Sequence, residues 1–130
     1  MNTNKIRVFV FSQQLLFRHA VEYSLSLIED LEISVATEIN DEVLSAMDNL
    51  PPDVAVVDID AINCDGLALT RQIKQRLPNI GVIVLTSNYA DVQIFEALKA
   101  QVSACSSKET TAEQLAETVR RAANGEPSYK

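Results

Sequence analysis

The stretch Pro52–Gly66, PDVAVVDIDAINCDG, decides the fold. Val54-Ala55-Val56-Val57 is apolar at every position, with Pro51-Pro52-Asp53 before it and Asp58 after it. A short run that is apolar on both faces and bounded by turn residues predicts a strand in the interior of a parallel sheet. Ligands of open α/β sheets bind in the crevice beyond the carboxyl ends of such strands. Asp58 stands at that end, Asp60 follows in the same loop, and Asp65-Gly66 leads into a helix.

The flanking sequence repeats this logic. Gly81 to Leu85, GVIVL, is a second two-faced strand and ends at Thr86. Lys5 to Phe11, KIRVFVF, is β-branched and aromatic and reads as the first strand, ended by Ser12-Gln13-Gln14. Leu31 to Thr37 alternates Leu31, Ile33 and Val35 with Glu32 and Ser34, as an edge strand with one buried face does. A short fifth strand is expected at Val102 to Ser106. Helical periodicity fills the gaps. A first helix spans about Gln14 to Glu29, with Phe17, Ala20, Val21, Ser24 and Ile28 on one stripe. A second follows Asn40, with Val43, Leu44, Met47 and Leu50, and a third follows Gly66, with Leu69, Ile73 and Leu77. A fourth lies near Ala90 to Lys99, with Val92, Phe95 and Leu98 inward, and a fifth carries Leu115, Val119 and Ala122 behind a capping box at Thr110 and Glu113. Five strands alternating with five helices predict a doubly wound, flavodoxin-like α/β domain with strand order 2-1-3-4-5. Residues 1–126 form that domain, and 127–130 read as a linker or tail.

At 130 residues the chain holds one core. A net charge of −7 argues against a nucleic-acid grip, which needs a basic face. The absence of a long apolar run predicts no membrane span and a cytoplasmic protein. Cys64 and Cys105 lack metal-ligand spacing and read as reduced thiols, Cys105 as a small apolar filler. His19 faces away from the apolar stripe and reads as solvated.

In the order 2-1-3-4-5, one rim collects Ser12 and Gln13, Asp58, Thr86 and Lys108. A carboxylate, a hydroxyl and an ammonium group suit a phosphoryl group carried on aspartate: the carboxylate attacks and the other two neutralise phosphoryl oxygens. Here IRVFVF, PDVAVVDI, DGLALTRQIKQRLPNIGVIVLT, IFEALKA and LAETVRRAANGE together resemble the receiver domain of bacterial response regulators, most of all the branch with a LuxR-type helix-turn-helix. The resemblance implies that Asp58 is the phospho-acceptor, Thr86 the switch hydroxyl and Lys108 the phosphoryl-binding lysine. It also exposes departures. Ser12 and Gln13 replace the acidic pair that holds Mg²⁺, Ala61-Ile62-Asn63 replaces a Met-Pro-Gly run, and Cys105 replaces the aromatic switch residue. Ser106-Ser107 stand where apolar residues usually precede the lysine. Asp58 and Asp60 are then the only metal-site carboxylates, which predicts a weak or lost Mg²⁺ site and no other cofactor. Asp60 has two opposite roles open to it: a second ligand charge, or a charge that repels an incoming phosphoryl group.

The expected function is an atypical receiver in two-component signalling that acts through protein contacts, with weak or no Mg²⁺-dependent phosphorylation. The alternative is a competent receiver controlling a C-terminal DNA-binding domain. A flavodoxin-like cofactor binder fits less well, because SQQLLF holds no phosphate cradle and Tyr89 is the only rim aromatic for stacking on a flavin. The expected partners are a histidine kinase or other signalling protein, and a second copy of the chain. A weak homodimer would use the first and fifth helices, through Leu16, Tyr23, Leu27, Ala112, Ala116 and Ala123.

Overall fold

A computed structural model describes residues 5–36, 40–60, 66–87, 102–126 and 128–129. In chain order the elements are β1 (Ile6–Phe11), α1 (Leu15–Ser26), β2 (Leu31–Ala36), α2 (Asp41–Asn49), β3 (Val54–Asp58), α3 (Gly66–Arg76), β4 (Gly81–Thr86), β5 (Ala104–Ser107), α4 (Ala112–Ala123) and β6 (Ser128–Tyr129). The strands are parallel in the order β2-β1-β3-β4-β5-β6. The predicted 2-1-3-4-5 order therefore holds, with one short strand added at the β5 edge. Ser128 and Tyr129, in the stretch that the sequence reads as a linker or tail, pair with Ala104 and Cys105. The predicted helix at Ala90–Lys99, the loop 61–65 and Tyr89 lie outside the described residues. Among the described residues, no helix is long and apolar enough to cross a membrane.

The alternation of side chains along each strand divides the core into two layers. Val8, Val10, Val54, Val56, Ile83, Leu85 and Ala104 pack under α1 and α4, against Val21, Leu25, Leu115, Ala116, Val119 and Ala122. Phe9, Phe11, Ala55, Val57, Val82, Val84 and Cys105 pack on the opposite face, under α2 and α3, against Leu44, Met47, Leu69 and Ile73. Every residue of β3 and β4 is buried, as the apolar runs predict. β2 lies at the edge with Glu32 and Ser34 exposed.

The helix ends show where local rules hold and where they slip. Asn40 caps α2 by accepting the Val43 N–H at 2.9 Å. The box at α4 is one residue later than predicted: extended Thr111 accepts the Gln114 N–H at 3.1 Å, and Gln114 reaches back to the Thr111 N–H. On α1 the buried centre is Val21 and Leu25, whereas Ala20 is exposed. α4 packs so closely on β4 that a Cβ on Gly81 would lie 2.8 Å from the Ala122 carbonyl oxygen. Glycine at the start of β4 is what allows that approach.

Candidate functional site

The parallel register carries the chemistry to one rim. Ser12 continues the alternation of Val8 and Val10, and Asp58 that of Val54 and Val56, so the two side chains meet on the same face of adjacent strands. The Ser12 hydroxyl donates to Asp58 Oδ2 at 2.7 Å. Asp58 Oδ1 accepts the Asp60 N–H at 2.9 Å and pairs with Lys108 Nζ at 2.9 Å. The Asp58 carboxylate is only 1% exposed. It is thus closed in by a hydroxyl, an amide and an ammonium group.

Asp60 is held by groups from elsewhere in the chain. Its Oδ1 accepts the Thr86 hydroxyl at 2.9 Å. Its Oδ2 accepts the Ser87 N–H at 2.7 Å and pairs with Lys108 Nζ at 3.1 Å. Burial pushes the Asp60 carboxyl up, but the Ser87 N–H, the Thr86 hydroxyl and Lys108 together outweigh it and hold the group below the ordinary 3.8. Lys108 sits just past β5, where its N–H donates to the Thr86 carbonyl at 3.1 Å. Its ammonium also donates to Gln14 Oε1 at 2.9 Å and lies 4.6 Å from the centroid of the Phe17 ring. The lysine is surrounded by two carboxylates, an amide oxygen and an aromatic face.

The structure thus brings Asp58, Asp60, Thr86, Lys108 and Ser12 together. Gln13 is exposed and, among the described residues, makes no hydrogen bond to this network. Three participants were not legible. Gln14 stands at the N-cap of α1 without capping it, because its side chain is engaged by Lys108. Phe17 reads as core by helical spacing and in fact also covers the lysine. Ser87 contributes a backbone N–H, which side-chain chemistry does not announce. Among the described residues, no group of His, Cys, Asp and Glu is arranged to hold a metal.

Away from the rim, Leu16 and Tyr23 on α1 and Leu27 at its C-cap are 83%, 68% and 66% exposed. Ala116 is not on that surface. It is 1% exposed and belongs to the core under α4, because the buried arc of that helix is wider than the stripe of Leu115, Val119 and Ala122. Ala112 and Ala123 are half-buried, Ala123 against the same core. His19 is exposed, as expected.

Comparison with known proteins agrees with this geometry. Residues 8–120 match the model of the response regulator receiver domain. The response regulator protein VraR of Staphylococcus aureus is 30% identical over 125 residues, which cover 96% of this chain and 60% of VraR. The transcriptional regulatory protein YxjL of Bacillus subtilis is 28% identical over 130 residues, all of this chain and 60% of that protein. Among solved structures, the non-phosphorylated receiver domain of RcsB from Escherichia coli superposes with a TM-score of 0.82 at 20% identity, covering 98% of this chain and 99% of that one. The receiver domain of the putative response regulator NarL from Mycobacterium tuberculosis gives 0.79 at 22% identity, covering 94% and 98%. The chain spans about 60% of the length of the curated relatives it matches. On this match over most of its length, the chain belongs to the response regulator receiver domain family, a module of two-component signalling and not a catalytic enzyme.

Proposed function

We propose that this domain is an atypical receiver that works through protein contacts, with weak or no Mg²⁺-dependent phosphorylation of Asp58. The observation that carries the reading is the closure of Asp58 by Ser12, the Asp60 N–H and Lys108. Asp58 keeps the place of the acceptor, Thr86 that of the switch hydroxyl and Lys108 that of the phosphoryl-binding lysine. What is missing is a setting for the cation. Mg²⁺ needs carboxylate charge and oxygen ligands in near-octahedral array. Here Ser12 directs a proton at Asp58 Oδ2, neutral Gln13 faces solvent, and Asp60 is turned onto Thr86, Ser87 and Lys108. A divalent cation at Asp58 would also face the Lys108 ammonium. These residues do not suit Mg²⁺.

The partners in this reading are signalling proteins of the cytoplasm, a histidine kinase or another contact, and a second copy of the chain. The exposed Leu16 and Tyr23 on α1 and Leu27 at its C-cap support a weak homodimer formed without phosphate, with Ala112 and Ala123 of α4 at its margin. The net charge of −7 supports contacts with protein and not with nucleic acid. Thermal melting in millimolar beryllofluoride and Mg²⁺, against plain buffer, tests the reading. No rise in melting temperature is expected, because a ligand stabilises only the fold that binds it. A rise abolished by Asp58→Asn would establish a competent receiver instead.

A further inference from the structure

We propose that Asp60 is a built-in anion: its carboxylate fills the site that the oxygens of a phosphoryl group on Asp58 would need, and it keeps Thr86, Ser87 and Lys108 in an anion-bound arrangement without a ligand. This deepens the atypical-receiver reading and rests on it. Three donors of different kinds converge on one side chain: the Thr86 hydroxyl at 2.9 Å, the Ser87 N–H at 2.7 Å and the Lys108 ammonium at 3.1 Å. A hydroxyl on Oδ1 and a backbone amide and an ammonium on Oδ2 surround one carboxylate, which makes an oxyanion site in the ordinary chemical sense.

An aspartate at a strand end commonly caps its own loop, bonding to backbone two or three residues on. Asp60 does something else. Its hydrogen-bond partners are 26 and 27 residues away, at the end of β4, and its cation comes from beyond β5. Both carboxylate oxygens are used. The same Lys108 nitrogen that meets Asp60 Oδ2 also meets Asp58 Oδ1 at 2.9 Å, so the filled site lies directly beside the acceptor.

Charge makes the occupancy decisive. Among the described residues, Lys108 is the cation that faces Asp58 and Asp60, and it already faces both. A phosphoryl group on Asp58 would add about 1.5 to 2 negative charges. It would have to displace a carboxylate that is tethered in place and therefore present at high effective concentration. The carboxylate thus blocks the acceptor and, by the same contacts, fixes the switch hydroxyl inward.

The test is a titration with inorganic phosphate, followed by the backbone amide resonance of Ser87 in the wild type, Asp60→Ala and Asp60→Asn. Asp60→Ala empties the site while leaving its three donors. Its Ser87 amide is expected to move saturably with phosphate, at a dissociation constant at least about tenfold below any wild-type response. Asp60→Asn keeps the shape, removes the charge, and is expected to respond between the two. A Ser87 amide that ignores phosphate in folded Asp60→Ala would overturn the inference, as would a wild type that responds as strongly as the variant. Should Asp60→Ala not fold, an unresponsive Asp60→Asn overturns it equally. The receiver reading is judged separately, on the wild type with beryllofluoride.

Discussion

Replacing Lys108 by methionine should be the most damaging single change at the rim. The substitution keeps the length and apolar stem of the side chain and removes its charge. Asp58 is 1% exposed and the side chains of Lys108 and Asp60 are each 13% exposed, so the variant leaves two shielded carboxylates without their shared cation. Removing one partner of a buried ion pair costs about 3–5 kcal/mol. The surviving donors, Ser12 and the Asp60 N–H on Asp58, and Thr86 and Ser87 on Asp60, place the loss at the low end. For a domain of this size about 3 kcal/mol corresponds to a fall of roughly 10 °C in melting temperature. Urea denaturation at neutral pH, with calorimetry alongside, measures both. The deficit should shrink as pH falls, because Lys108 helps to hold the Asp60 carboxyl low and the variant takes up that proton more readily than the wild type. Adding Asp60→Asn to Lys108→Met should recover part of the loss. A deficit below about 1 kcal/mol, the range of exposed pairs, would refute the idea that one lysine holds both carboxylates.

Introducing Ser12→Asp with Gln13→Asp should lower the melting temperature in metal-free buffer, since a carboxylate replaces the hydroxyl that donates to Asp58, and millimolar Mg²⁺ should restore it; an indifferent response to Mg²⁺ would contradict the ligand-count argument. Burial pushes the Cys105 thiol up to about 11, so peptide mass mapping should find Cys105 unmodified by iodoacetamide in the native protein at mildly alkaline pH, and modified after denaturation. The Arg120 hydrogen bonds hold the Asp30 carboxyl below its ordinary 3.8, so this pair stabilises the fold above that value and its contribution disappears as pH falls through the lowered pKa. Both side chains are more than a third exposed, so Arg120→Ala should cost only about 0.5 kcal/mol at neutral pH and nothing in strong acid, as read by urea midpoints.

The fold was legible because its signals are periodic. VAVVD and GVIVL are apolar on both faces, and LEISVA on one, and these differences alone separate interior strands from an edge. The rim was legible as a set of strand ends, which fixed Asp58, Thr86 and Lys108 as neighbours. Pair partners within the set were not. Ser12 reads as a neutral substitute for an acid, and only the shared parity of positions 12 and 58 on adjacent strands makes it a hydrogen-bond donor to Asp58. Asp60 presented two opposite roles because sequence gives its charge and not its direction. Gln14 and Phe17 were hidden by the helix they begin, whose periodicity assigns a side to each residue but no long-range partner. Ala116 shows the same limit: spacing marks it as flanking, and only the packing of α4 on the sheet buries it. Two residues of the tail pair with β5, a contact for which Ser128-Tyr129 carries no pattern long enough to read.

Asp58 is proposed to be closed to phosphoryl transfer in this receiver. Intact-mass spectrometry of the wild-type chain after incubation with acetyl phosphate, with and without Mg²⁺, tests it most directly. The expected result is an unmodified mass, or a trace of added phosphoryl group that Mg²⁺ does not increase. A stoichiometric, Mg²⁺-dependent gain of one phosphoryl group that disappears in Asp58→Asn would contradict it.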